Sequence, residues 1–342
     1  MQSKTLNLYP IDYPFDTLVT RLNADKPKLI LNPDFQRKYK WDKLGWERAS
    51  KFIESCLMRI PLPSCYFAED NEGRHVVIDG VQRLTTIAKF INDEFALESL
   101  TTFKELEGKK FSQLGEYKAE LEATTIRCII LRKENDPKLV REIFSRLNQG
   151  AVTLSRQEIR HALYPGKFDK LLHKLSATPA IANFSKGDRS TVAKDSREAE
   201  EQVLRFFALN GNLDGYIDRL STYLDDFMQA QSSVKDKDIA TFEQRFNQSL
   251  ENCLTVFGDD VFIDKSKVRS RQSMVYYDLL MPSLGAMTPA EARKLKPKIK
   301  SAFAELCKSA AFQKTLSGGL QNKSSITKRR LIWKGLLEKH CK

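Results

Sequence analysis

Apolar positions along the chain change their period near residue 135. Before it, short extended runs alternate with helical spacings. "KTLNLYP" (4–10) and "KLILNP" (28–33) are extended runs ended by proline, and between them Phe15, Leu18, Val19 and Leu22 share one helical face. A polar and aromatic stretch, "NPDFQRKYKWD", follows. Trp46, Ala49, Phe52, Ile53, Cys56, Leu57 and Ile60 then form one helical stripe, which Pro61 closes. "SCYFAEDNEGRHVVIDG" (64–80) predicts a hairpin with an acidic turn at Gly73, and "TTIRCIIL" (124–131) a last strand. The expected product of residues 1–135 is a small mixed sheet with flanking helices.

From residue 136 to 342 apolar residues recur three and four apart. The segments 136–148, 155–164, 167–175, 196–209, 216–229 and 241–257 each predict a helix, with turns at Gly150, Pro165-Gly166 and Gly211. Residues 177–195 are the longest irregular stretch and read as a mobile loop, and "KDKD" (235–238) reads as a surface connection. The fold class is therefore α+β: a mixed-sheet domain, then a mostly helical one.

Composition changes this picture mainly through charge. The chain of 342 residues carries a net +12, and residues 291–342 hold fourteen Lys and Arg against three acids, eleven of those twelve charges. A basic end on an otherwise balanced chain suits a polyanion, with Lys323, Lys328, Arg329, Arg330 and Lys334 as candidate contacts to DNA. A solvated helical face is the alternative. No run approaches the roughly 18 apolar residues of a membrane span, and the opening "MQSKTLNLYP" lacks a secretory signal's apolar segment, so a cytoplasmic protein without membrane contact is expected. Six cysteines without a C-x-x-C pair predict buried thiols rather than a zinc knuckle or a disulfide framework.

The candidate chemistry lies where the strand Val76-Val77-Ile78 runs through Asp79-Gly80 into a helix. A helix start presents unpaired N–H groups and the positive end of its dipole, a ready anion site. There Arg83 suits phosphate, Gln82 a water or an amide, Thr85 and Thr86 offer hydroxyls, and Asp79 can support a metal-bound water. The same residues also suit a plain fold role, with Asp79 as helix cap and Arg83 in a structural ion pair. Phe35, Tyr39 and Trp41, interleaved with Gln36, Arg37, Lys38 and Lys40, suit either base stacking or a β-edge with its rings in the core.

Three segments, "PDFQRKYKW" (33–41), "VIDGVQRLTTIAKF" (77–90) and "FSRLNQGAVTLSRQEIRHALYPGKFDKLL" (144–172), together resemble the N-terminal domain family of GmrSD-type restriction endonucleases, known by a D-G-Q-Q-R signature. The resemblance implies a ParB and sulfiredoxin-like fold that binds or hydrolyses nucleoside triphosphates in bacterial defence against foreign or modified DNA; Asp79 would then be expected to support a Mg2+ shell beside the phosphates. It implies site roles for Asp79, Gly80, Gln82 and Arg83, for Gln36 and Arg37, for Asn148 of the R-L-N segment, and matches Gln157, Glu158 and Arg160 in the following helix. Val81 stands where the family usually has its first glutamine, and Gly150-Ala151 replaces a usual double glycine.

No nuclease constellation accompanies these motifs. The four histidines, His75, His161, His173 and His340, form no HNH-like setting, and there is no Walker loop, nucleophile elbow or H-E-x-x-H helix. Cleavage, where it occurs, is expected from a partner nuclease or defence chain, and self-association is compatible with the sequence. The expected function is a nucleotide-binding, DNA-associated protein, as a triphosphatase or as a non-enzymatic module with a degenerate pocket. A metal-dependent nuclease is the third alternative.

Overall fold

The sheet begins with β1 (Leu8–Pro14), which leads directly into α1 (Phe15–Leu22) and then β2 (Leu29–Ile30). Next come α2 (Glu47–Leu57), the hairpin strands β3 (Cys65–Glu69) and β4 (His75–Asp79), and α3 (Val81–Ile91). α4 (Tyr117–Ala123), β5 (Thr125–Leu131) and α5 (Pro137–Leu147) complete this part. The computed structural model describes residues 5–31, 39, 41, 42, 45–70, 72–147, 155–182, 184, 197–264 and 272–341. Gln36, Arg37 and Asn148 lie outside the described residues, as does most of the loop expected at 177–195.

Strand order is β1-β5-β3-β4-β2, with β1–β5 and β3–β4 antiparallel, and β3–β5 and β2–β4 parallel. The mixed sheet expected from the sequence is present. In β5, Ile126, Cys128 and Ile130 are fully buried while Thr125 and Arg127 are exposed, the period-two pattern of a strand. β4 lies between two neighbours and buries Val76, Val77 and Ile78 in succession, which is why it reads as an unbroken apolar run. α1, α2 and α3 add Phe15, Leu18 and Val19, then Ala49, Ile53, Cys56 and Leu57, then Leu84, Ile87 and Phe90 to the core.

Two boundaries differ from expectation for physical reasons. β1 runs through Pro10 to Pro14, where Pro10 was expected to end it; β1 is an edge strand, where a missing N–H on the open side costs no ladder bond. α2 ends at Leu57 rather than at Pro61, because Arg59 turns to φ 57° and Ile60 is left 46% exposed.

The chain divides into two compact units, residues 1–154 and 155–342. The second contains α6 (Arg156–Leu163), α7 (Lys167–Ser176), α8 (Glu198–Leu209), α9 (Leu220–Ala230), α10 (Asp236–Phe257) and α11 (Met274–Gly285). It ends with α12 (Pro289–Lys294), α13 (Lys296–Lys308) and α14 (Lys323–Cys341), with short helices at Pro179–Ala182 and Ala310–Gln313. Its core is rich in aromatic rings, among them Phe168, Phe206, Phe246, Phe262, Tyr277 and Trp333. "KDKD" is not a connection: α10 begins at Asp236, and Asp236 and Asp238 in the first turn match the positive end of the helix dipole. The helix expected from Tyr216 starts only at Leu220, since Asp218 sits at φ 62°. Among the described residues no helix is long and apolar enough to cross a membrane.

Candidate functional site

β4 ends on Asp79, and α3 begins two residues later through Gly80 at φ 104°, ψ 5°. Glycine is required here twice over: the left-handed backbone disfavours any side chain, and a Cβ would run into Cys65 Sγ on β3. Cys65 is fully buried, and that burial pushes its thiol up to about 12, so it stays neutral near pH 7 and cannot serve as a nucleophile.

Arg83 reaches back across the junction. Its Nη2 donates to Asp79 Oδ2 at 2.8 Å and to the Ser64 carbonyl at 3.4 Å, and its Nη1 donates to the Pro63 carbonyl. Of the two roles open from the sequence, the ion pair is thus formed, although its partner is Asp79 itself. Asp79 does not cap the helix; the cap position belongs to Gly80 and has no side-chain hydrogen bond. The Arg83 side chain is 14% exposed and that of Asp79 38%, so the carboxylate faces out and the guanidinium lies behind it. Arg83 engages Asp79 through Oδ2, and the first-turn amides of α3, at the start of the same junction, have no partner within the helix.

The neighbouring hydroxyls sit deeper than expected. Thr86 is fully buried, donating from Oγ1 to the Gln82 carbonyl at 2.8 Å and sharing a 2.8 Å bond with the Tyr39 hydroxyl. Thr85 is also buried, and its Oγ1 has no hydrogen-bond partner. Neither hydroxyl stands at the mouth of the junction. Tyr39 is a core residue, 5% exposed, so its ring belongs to the packing alternative. Lys89, one turn further along α3, pairs with Glu94 at 2.7 Å and lies over the rings of Tyr39 and Trp46.

The described residues contain no group of three or more His, Cys, Asp or Glu able to hold a metal ion. A preformed metal cage at Asp79 is therefore not the arrangement. A single outward carboxylate fits a Mg2+ ion that keeps its waters and is carried mainly by phosphate oxygens.

The motif residues on α6 are committed to the fold. Glu158 and Ser155 form a reciprocal cap, Ser155 N–H to Glu158 Oε2 at 2.6 Å and Glu158 N–H to Ser155 Oγ at 3.2 Å. Arg160, 1% exposed, donates to Asp225 at 2.7 Å on α9, to Glu201 at 2.6 Å on α8, and to Gln157 at 3.1 Å. The family pattern alone could not separate this clamp from a ligand contact.

On α14 the five expected cations part company. Lys323, Lys328 and Lys334 are exposed. Arg329 is 3% exposed and donates to the Thr315 and Leu320 carbonyls, and Arg330 to those of Leu209 and Gly211 at the end of α8. These two arginines pin α14 in place, because a guanidinium can satisfy several terminal carbonyls at once. They correct the surface role expected for them from charge alone, since a sequence count does not separate buried cations from exposed ones.

No match was found among curated proteins or solved structures. Residues 18–165 match the family model described as GmrSD restriction endonuclease, N-terminal domain, and this stretch of the chain is a domain of that family.

Proposed function

We propose that the chain is a nucleotide-responsive, DNA-associated component of a restriction-type system, acting in the cytoplasm beside a partner chain that cuts DNA. The observation that carries this reading is the outward Asp79 carboxylate, held by Arg83 at the start of α3. Triphosphate oxygens would approach the first-turn amides after Gly80, and Asp79 would help hold a Mg2+ ion whose charge offsets the repulsion between carboxylate and phosphate. Gln82, partly exposed in that turn, would orient a water. Arg83 acts chiefly through Asp79, as a positioning residue. Gln36, Arg37 and Asn148 enter this reading through the family motif, while Thr86 supports the site by holding Tyr39. The exposed Lys323, Lys328 and Lys334 would meet DNA phosphates, giving position without sequence.

The engagement of Arg83 by Asp79 also favours a second reading, a non-enzymatic assembly module in which Val81 marks lost hydrolysis. Thermal shift with a panel of nucleoside triphosphates, with and without Mg2+, tests the first. A Mg2+-dependent rise in melting point that Asp79→Asn abolishes is expected, since a ligand of the native state stabilises it. A parent protein unmoved by every triphosphate would refute nucleotide binding. Phosphate release then separates the enzyme from the module.

A further inference from the structure

The densest run of exposed cations along the described second unit lies at the elbow between α12 and α13. Residues 293–300 read R-K-L-K-P-K-I-K, five cations in eight positions with no acid among them. Ile299 is fully buried and Leu295 packs against the same core, so the apolar residues anchor the elbow, and Arg293, Lys294, Lys296, Lys298 and Lys300 are all exposed. Among the described residues Arg293, Lys294, Lys296 and Lys300 have no ion-pair partner.

Their position on the helices sharpens the point. Arg293 and Lys294 at the C-terminal end of α12 suit its dipole, whereas the first turn of α13 has no acid and begins with Lys296 and Lys298. Cations at a helix N-terminus oppose the dipole and cost stability. An anion bound at the elbow reverses that sign, because the dipole and the lysines then act on it together. α14 spreads Lys323, Lys328 and Lys334 over twelve residues and places the exposed Leu331 among them.

We infer that the α12–α13 elbow is the principal duplex-DNA backbone contact of this chain. This rests on the reading that the chain binds DNA, and moves the main contact away from α14. The contact is electrostatic and independent of base sequence.

Binding of the full chain to fluorescent duplexes of two unrelated sequences, titrated with salt, is the test. The variants are Lys294→Gln/Lys296→Gln/Lys300→Gln, its Lys→Arg counterpart, and Lys323→Gln/Lys328→Gln/Lys334→Gln. All positions are exposed, and unchanged circular dichroism would verify folding. The elbow Gln variant is expected to weaken binding equally for both duplexes and to lower the slope of log K against log salt by about 3. The Arg variant keeps the parental slope, and the α14 variant changes it by less than the elbow variant. A steep parental slope left intact by the elbow Gln variant overturns the elbow while the DNA reading stands. A parent that does not bind duplex, or binds it indifferently to salt, removes both.

Discussion

Gly80 shows how one residue can serve fold and site together. Its φ of 104° and the Cys65 sulfur at its back both exclude a side chain. Gly80→Ala is therefore expected to cost about 2–4 kcal/mol, the sum of a strained backbone and an overpacked contact, read from urea denaturation. Adding Cys65→Ala should return part of the loss, the contact, and leave the backbone strain. Full recovery would show that conformation matters little there. Arg160 makes the complementary case of a buried charge: with Asp225 and the half-exposed Glu201 both upon it, Arg160→Ala would leave the largely buried Asp225 carboxylate without that guanidinium, at a cost of about 3–5 kcal/mol. Arg160→Lys should recover little, since one ammonium cannot reproduce a guanidinium fork on α8 and α9. Near-parental stability of the lysine variant would argue that charge alone suffices.

At the scale of elements, what was legible was periodicity, and what was not was partnership. The hairpin, the helix after Gly80 and β5 stood in the sequence because each repeats apolar residues at its own period. Pro10 misled because a single sequence does not tell an edge strand from a central one, and "KDKD" because charged first turns resemble charged loops. The site residues were legible as types, but the pairing of Arg83 with Asp79 and the burial of Thr86 and Arg329 depend on side-chain direction, which spacing does not encode. Glu54 was invisible for the same reason. From α2 its carboxylate accepts the N–H groups of Thr101, Thr102 and Phe103 and the Thr101 hydroxyl, tying a long connection to the helix. Burial pushes its pKa up, yet these four donors outweigh it and hold the carboxyl below its ordinary range. A depressed folded-state pKa gives stability that is present above the unfolded value, about 4.3, and is lost as pH falls from there through the folded value. Glu54→Gln should accordingly flatten the fall in stability between about pH 5 and 3, and a variant whose acid limb parallels the parent's would remove Glu54 from this account.

Across the whole molecule, the proposed chemistry is divided as the fold is. The Asp79–Arg83 junction lies in the unit of residues 1–154, and nearly all the excess charge in that of residues 155–342. Each unit carries buried apolar residues of its own, the first around Phe67, Val77 and Phe90, the second around Phe206, Phe246 and Trp333. A ligand that binds a native unit raises the transition of that unit by RT ln(1 + [L]/Kd), about 2.7 kcal/mol at a hundred times Kd. Calorimetry of the full chain should therefore report the two ligands separately: triphosphate with Mg2+ raises the transition that Gly80→Ala lowers, and duplex DNA raises the one that Arg160→Ala lowers. Salt distinguishes them further, since releasing counterions from a duplex makes the DNA effect fade steeply between 50 and 200 mM. A triphosphate that instead raises the transition lowered by Arg160→Ala would locate the nucleotide in the helical unit, and the outward carboxylate of Asp79 would then need another use.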